Sequence, residues 1–244
     1  VLTLLAISAA ICPALVRTSM GVRSMLMLLF CASPLILGPS SGPELGWFER
    51  VDASNMGEWV ARLLWNGTYP VLPWIFFILL GTVLHDLRDD SRARERGVVL
   101  GILATSLTLA LSVAEGVDWA LTSGDAILTF FPASMPFLVV SGTMVALALR
   151  VLEGEEESGG EPLMGEGLSM LEPAGRLSLT IYVSHFAVLG AVALMMDGEP
   201  RLALIPAFLV TILHTLVWIP LAVLHERVIP GLSLEGLLRG QSGR

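Results

Sequence analysis

Long apolar runs separated by short polar segments dominate the chain. Seven of them approach the length of a membrane-crossing helix: Val1–Val16, Ser24–Leu37, Tyr69–Leu87, Val98–Ala114, Ala133–Leu149, Leu177–Met196 and Leu202–Leu224. A helix needs about 20 mostly apolar residues to cross a bilayer. The runs therefore predict an all-α fold, a polytopic membrane bundle of about seven transmembrane helices. They leave too little chain for a second folded domain. The first run reaches Arg17 after only 16 residues. It has neither a charged flank nor a small-residue cleavage site, so it does not read as a signal peptide. We expect the chain to be a fragment of a longer bundle, with further helices upstream. A GTG start codon read as Val is the competing explanation.

The polar segments differ in kind. Across Asp52–Gly67, the residues Met56, Trp59, Val60, Leu63 and Leu64 share one helical face. This predicts an amphipathic helix near 55–66 on the outer surface. Asn55 and Glu58 form a capping box, Gly67 is the stop, and Trp59 and Trp65 suit the headgroup layer. Leu152–Ala174 holds seven glutamates, five glycines and no basic residue, the pattern of a flexible solvated linker. The expected organisation is a five-span bundle over 1–151, an acidic cytoplasmic linker over 152–174, and a two-helix hairpin with a tail over 175–244.

Composition agrees with a membrane protein. Of 244 residues, 54% are hydrophobic and 15% charged, against roughly 25% charged in a soluble domain. The net charge of −8 argues against a nucleic-acid partner. Cys12 and Cys31 lie in apolar runs without companion ligands, so no metal or disulfide is expected. All 14 basic residues are arginines, and their positions give sidedness. Alternating the seven runs puts eleven arginines in one set of loops and three, Arg50, Arg62 and Arg201, in the other. Cytoplasmic loops are enriched in basic residues. The expectation is a protein integral to the cytoplasmic membrane, with its C-terminus in the cytoplasm.

Ionisable residues inside membrane helices are costly and are functional candidates by default. His185 lies nine residues from Arg176, about 14 Å along a helix, and His214 lies 13 from Arg201 and Arg227, about 20 Å. Both fall in the middle of the hydrocarbon layer, on consecutive helices joined by the turn Asp197–Arg201. Thr180, Tyr182, Ser184, Thr211 and Thr215 add hydroxyls nearby. An imidazole titrating near neutrality can move a proton. The plain alternative is that each histidine only hydrogen-bonds a neighbouring helix. His85 and His225 sit at inner helix ends and read as interfacial. The third run opens Tyr69-Pro70-Val71-Leu72-Pro73-Trp74, and its two prolines free carbonyls that are tolerated only beside protein or a wet cavity. This predicts an outward vestibule, unless the prolines merely start the helix. Arg88, Arg92, Arg94 and Arg96 could grip the phosphates of a CoA or serve only as the positive-inside signal.

Three stretches carry a resemblance. Asn66–Leu84 reads NGTYPVLPWIFFILLGTVL, with Gly67, Tyr69, Pro70, Pro73, Trp74 and Gly81 at matching positions. It resembles a helix of YeiB-like and heparan-α-glucosaminide N-acetyltransferase-like membrane proteins. Gly175–His185 reads GRLSLTIYVSH. It is similar to a late helix of those proteins and to the S-L-x-x-Y-L-x-H helix of polysaccharide O-acyltransferases. Leu232–Arg239 resembles the YeiB-like ending, with Leu232-Ser233 where Gly-Pro is usual.

The resemblance implies a transmembrane acyltransferase, with this chain the C-terminal part of a ten- or eleven-span bundle. Such a protein moves an acyl group from a cytoplasmic acyl-CoA to a hydroxyl or amine acceptor, such as a glycan or a lipid-linked group, with no metal. It implies an essential histidine in an N-terminal part, a position that no residue here matches. His185 would correspond to the pore-lining histidine of the polysaccharide acetylase helix. The candidate catalytic residues are His185 and His214. The candidate substrate-binding residues are Tyr69, Pro70, Pro73, Trp74 and Tyr182, and the candidate acyl-CoA contacts are Arg88, Arg92, Arg94 and Arg96. The lipid bilayer is the expected partner, and a homo-oligomer stays open. So do two other functions: a solute or lipid transporter of flippase type, and a non-catalytic membrane fragment.

Overall fold

The computed structural model describes residues 2–153, 170–196 and 202–241. The chain divides into two compact units, Val1–Glu153 and Gly154–Arg244. Most of the acidic segment and the turn Asp197–Arg201 lie outside the described residues.

The first unit is built from α1 (Leu2–Val16), α2 (Met20–Leu37), α3 (Trp47–Val51), α4 (Met56–Ala61), α5 (Val71–Asp86), α6 (Ser91–Glu115) and α7 (Met135–Glu153). Local signals set the ends of these helices. Ser19 caps α2 by accepting from the Val22 amide, and Asp90 caps α6 by accepting from the Ala93 amide at 3.0 Å. Gly116, at φ 66°, ends α6 in the left-handed region, where an L side chain would be strained. One α-turn's worth of π-helix, Arg62–Asn66, continues α4 and stops at Gly67.

Packing follows from small residues and aromatics. α5 lies against both α1 and α2, and α6 lies against α7. Cys31, Phe76, Ala133 and Leu138 form one core cluster, and Leu4, Val71 and Ile75 a second. Gly142 lets the Phe76 ring approach α7, and Gly101 lets α6 close onto Thr143. A side chain at either position would need its neighbour to move.

The second unit holds α8 (Glu172–Arg176), α9 (Ser178–Met195), α10 (Leu204–Val228) and α11 (Leu234–Gln241). The helical α8 takes the end of the segment expected to be a linker. Its Arg176 pairs with Glu226 of α10 at 3.0 Å.

The architecture is a polytopic helical membrane bundle, but its apolar helices are not all of one kind. Four are long and apolar enough to cross a membrane: Met20–Ser41, Ser91–Glu115, Ser178–Met195 and Ile205–Val228. The third expected span pairs with the outer helix as a bent element, Met56–Asn66 and Val71–Asp86, broken by 41°. The first and fifth are shorter helices, Leu4–Val16 and Met135–Arg150. Large apolar side chains on the long helices point outward, with Val113 78% and Leu194 83% exposed. Such a surface needs lipid or protein cover.

Helices are not the whole of it. Strands β1 (Asp118–Leu121) and β2 (Ala126–Thr129) pair in parallel, with Asp118 facing Ala126. Two side-chain bonds tie this loop to α6: Trp119 Nε1 donates to Thr108 Oγ1 at 3.1 Å, and Ser112 Oγ donates to the Val117 carbonyl at 2.7 Å.

Candidate functional site

Arginines gather at one end of the first unit. α2 starts where α5 ends, so Arg23 meets Asp86 there in a largely buried ion pair. His85 and Asp86 end α5 and Arg88 follows in the next turn, with Arg88 Nη1 3.1 Å from His85 Nε2. A cavity of about 240 Å³ opens beside them, lined by His85, Arg88, Arg94, Val98, Leu149 and Arg150, among others. Three guanidinium groups thus face one cavity. Two of them meet acids in largely exposed pairs, Arg88 with Asp89 and Arg150 with Glu95, each at 3.4 Å, and Arg94 Nη1 donates to the Arg88 carbonyl at 3.1 Å. Exposed pairs of this kind contribute about 0–1 kcal/mol. A phosphate offers bidentate, charge-assisted bonds that are stronger.

The expected four-arginine cluster is therefore split. Arg88 precedes the helix and Arg94 lies one turn into it, and both turn to the cavity. Arg92 and Arg96, four apart on α6, line a separate shallow groove with Glu95, Val99 and Leu100. Arg150 and His85 complete the first group. The sequence had offered Arg150 only as a vote on sidedness, and His85 only as an interfacial residue.

The Tyr69–Trp74 segment lies at the other end of the unit. Leu72 is non-helical at φ −90° and ψ 118°, and the Leu72–Pro73 bond is cis. Pro70 and Pro73 are buried. Trp74 sits in an aromatic cluster, 5.2 Å from the Tyr69 ring, 5.1 Å from Phe130 and 6.1 Å from Phe137. Its Nε1 is buried without a hydrogen-bond partner among the described residues. Tyr69 also borders a cavity of about 170 Å³ with Trp59, Arg62 and Thr68. Phe130 and Phe131 reach Tyr69 from the loop before α7, and nothing in the local sequence marked them for this.

The outer segment is clamped over this region by Arg50, which is 2% exposed. Its guanidinium donates to the carbonyls of Leu45, Ser41, Asn66 and Gly42. Burial, and then the positive charge of Arg62, lower its pKa from the ordinary arginine value. Asn55 caps α4 through the Glu58 amide at 2.9 Å. Glu58 does not close the expected box on Asn55. Its carboxylate accepts from the amide and hydroxyl of Ser54, both at 2.9 Å, and these bonds hold it below the ordinary glutamate pKa.

In the second unit, the two mid-membrane histidines meet. Their ring centroids are 6.1 Å apart. Tyr182 lies 5.5 Å from the His185 ring, and Trp218 Nε1 points at His214 Nε2 from 3.5 Å. Three of the five nearby hydroxyls are engaged elsewhere. Thr211 and Thr215 donate back to Ala207 and Thr211, each at 2.8 Å, and Thr180 turns to the tail. The pair is thus an imidazole couple edged by aromatic rings. Its chemistry is proton transfer or hydrogen bonding. Among the described residues, no three His, Cys, Asp or Glu side chains converge to hold a metal ion.

The first unit thus carries a basic cavity, and the second a histidine pair on two apolar helices. The sequence pattern of the acyltransferase domain family matches residues 2–223, and the chain belongs to that family of membrane acyltransferases. No curated protein and no solved structure matches the chain.

Proposed function

We propose that the protein transfers an acyl group from a cytoplasmic acyl-CoA to a hydroxyl or amine acceptor at or across the cytoplasmic membrane. The acceptor class is a glycan or a lipid-linked group. Within the family, the stretches at Asn66–Leu84, Gly175–His185 and Leu232–Arg239 favour the YeiB-like branch. On this reading the arginine-rich end faces the cytoplasm, as does the C-terminus.

The cavity lined by Arg88, Arg94, Arg150 and His85 is the observation that carries the proposal. Its guanidinium groups suit the phosphates of a CoA. Arg92 and Arg96 would act at most as a surrounding field. In the transfer, the acceptor oxygen or nitrogen attacks the thioester carbon and the C–S bond breaks. The acceptor's proton passes to an imidazole and ends on the CoA sulfur as the thiol. His185 and His214 are the residues assigned to that proton. Tyr182, beside the histidines of the second unit, and separately the Tyr69–Trp74 segment of the first unit are candidate substrate contacts.

Membranes from cells expressing the complete gene, supplied with radiolabelled acetyl-CoA, test the assignment. His185→Ala and His214→Ala should each lower transfer by about 100-fold or more, the usual worth of a positioned general base. Full activity in both variants would remove the histidines from the mechanism.

A further inference from the structure

The helix that carries Tyr182 and His185 has no cap of its own. Leu177 occupies the cap position of α9 and offers no side-chain bond to the first turn. The first amides of a helix have no partner within it and need one from outside. That partner comes from the tail, some 55 residues further along the chain. The Glu235 carboxylate accepts from the amides of Leu179 at 2.7 Å and Thr180 at 3.0 Å, and from the Thr180 hydroxyl.

The arrangement is reciprocal. Thr180 Oγ1 accepts from the Leu234 amide, the first of α11, at 2.9 Å. Two helix N-termini therefore face each other, each capped by a side chain of the other. Their dipoles both point positive ends at the gap, and the Glu235 carboxylate lies in it. A second anchor holds the tail. His225 Nε2 donates to the Leu232 carbonyl at 2.7 Å, and Ser233 caps α11 through the Gly236 amide at 3.0 Å.

None of the residues of α9 is buried, so side-chain packing within the unit does little to fix the helix. Its position rests on polar contacts at its start. His185 lies five residues beyond Thr180, about 7.5 Å along the axis, close enough for a shift of the first turn to move the imidazole.

We propose that Glu235 is a positioning residue: through Thr180 and the first turn of α9, it sets His185 against His214. The proposal rests on the histidine pair being the working pair, and its test is separable from that reading. The protein has four histidines, so histidine-selective isotope labelling of the full chain in lipid nanodiscs gives a spectrum of four rings. Single His→Gln variants assign them.

In Glu235→Ala, the His185 and His214 ring signals should move and broaden while the His85 signals stay in place. Thr180→Val should act the same way more weakly, because the two amide bonds remain. Thr180→Ser, which keeps the hydroxyl, should restore the parent spectrum. If Glu235→Ala disturbs His85 as well, the variant is unfolding, and Thr180→Val against Thr180→Ser carries the test. Unmoved His185 and His214 signals in both disruptive variants would overturn the proposal. In membranes, the same variants should lower kcat by about ten- to hundred-fold with KM for acetyl-CoA unchanged. Moved signals with full activity would leave the latch in place and refute the working role of the pair.

Discussion

The ion pair between Arg23 and Asp86 makes an asymmetric prediction. The arginine side chain is 7% exposed and the aspartate 29%. Arg23 Nε is buried and already lacks a hydrogen-bond partner among the described residues. Asp86→Asn removes the countercharge and strands a cation that water cannot reach. Losing one member of a buried pair costs about 3–5 kcal/mol. Arg23→Met leaves a carboxylate that water can still reach, so the cost falls to about 1–2 kcal/mol, nearer that of a lost charged hydrogen bond. At about 3 °C per kcal/mol for a chain of this size, the midpoints should fall by roughly 10 °C and roughly 4 °C. Removing both charges, as Arg23→Met with Asp86→Leu, should cost less than Asp86→Asn alone. Thermal unfolding of purified protein in one detergent, followed by tryptophan fluorescence, measures all three. Equal losses from the single variants, or a milder loss from Asp86→Asn, would refute the burial argument.

Three further outcomes are expected. Gly101→Leu should cost about 1–3 kcal/mol by forcing α6 from Thr143, whereas Gly97→Leu, at a glycine with open space beside it, should be near neutral in the same unfolding assay. Burial works against the Glu235 carboxylate, but its bonds to Thr180 and Leu179 outweigh it and hold the pKa below the ordinary value. Its contribution is thus present above about pH 4.3 and lost as pH falls from there through the lowered folded value, so the Tm gap between the parent and Glu235→Gln should be full at pH 7 and close at low pH. On the cysteine-free background Cys12→Ala, Cys31→Ala, a membrane-impermeant maleimide should label Met56→Cys in intact cells and Ser91→Cys only after permeabilisation; the reverse pattern would invert the proposed orientation.

Much of the bundle was legible because apolar runs and their polar stops are local. The irregular start of the third span, with Leu72 non-helical, could be read from Pro70 and Pro73, whose chemistry needs no tertiary knowledge, but its pairing with the outer helix as one bent element could not. The two four-residue strands could not, since DWAL and AILT carry no alternation long enough to register. The histidine pair was legible in depth, from residue counts to flanking arginines, but not in facing. Thr211 and Thr215 misled because a threonine in a helix readily bonds the carbonyl four residues back. The arginine cluster looked like one patch in sequence. Once α6 starts at Ser91, helical geometry sends Arg92 and Arg96 one way and Arg94 another. Arg150 and the Glu235 latch join residues more than 50 positions apart, and only the fold brings them together.

On the proposed function, the basic cavity of the first unit receives an acyl-CoA. Equilibrium binding of CoA to the purified protein in nanodiscs, measured by calorimetry at two salt concentrations, tests it most directly. Salt-sensitive binding is expected in the parent. Arg88→Ala, Arg94→Ala and Arg150→Ala combined should weaken it by about 100-fold or more, from charge-assisted bonds of about 1.5–3 kcal/mol each. Arg92→Ala with Arg96→Ala should weaken it far less. Equal losses from the two sets, or undiminished binding in the triple variant, would contradict the account.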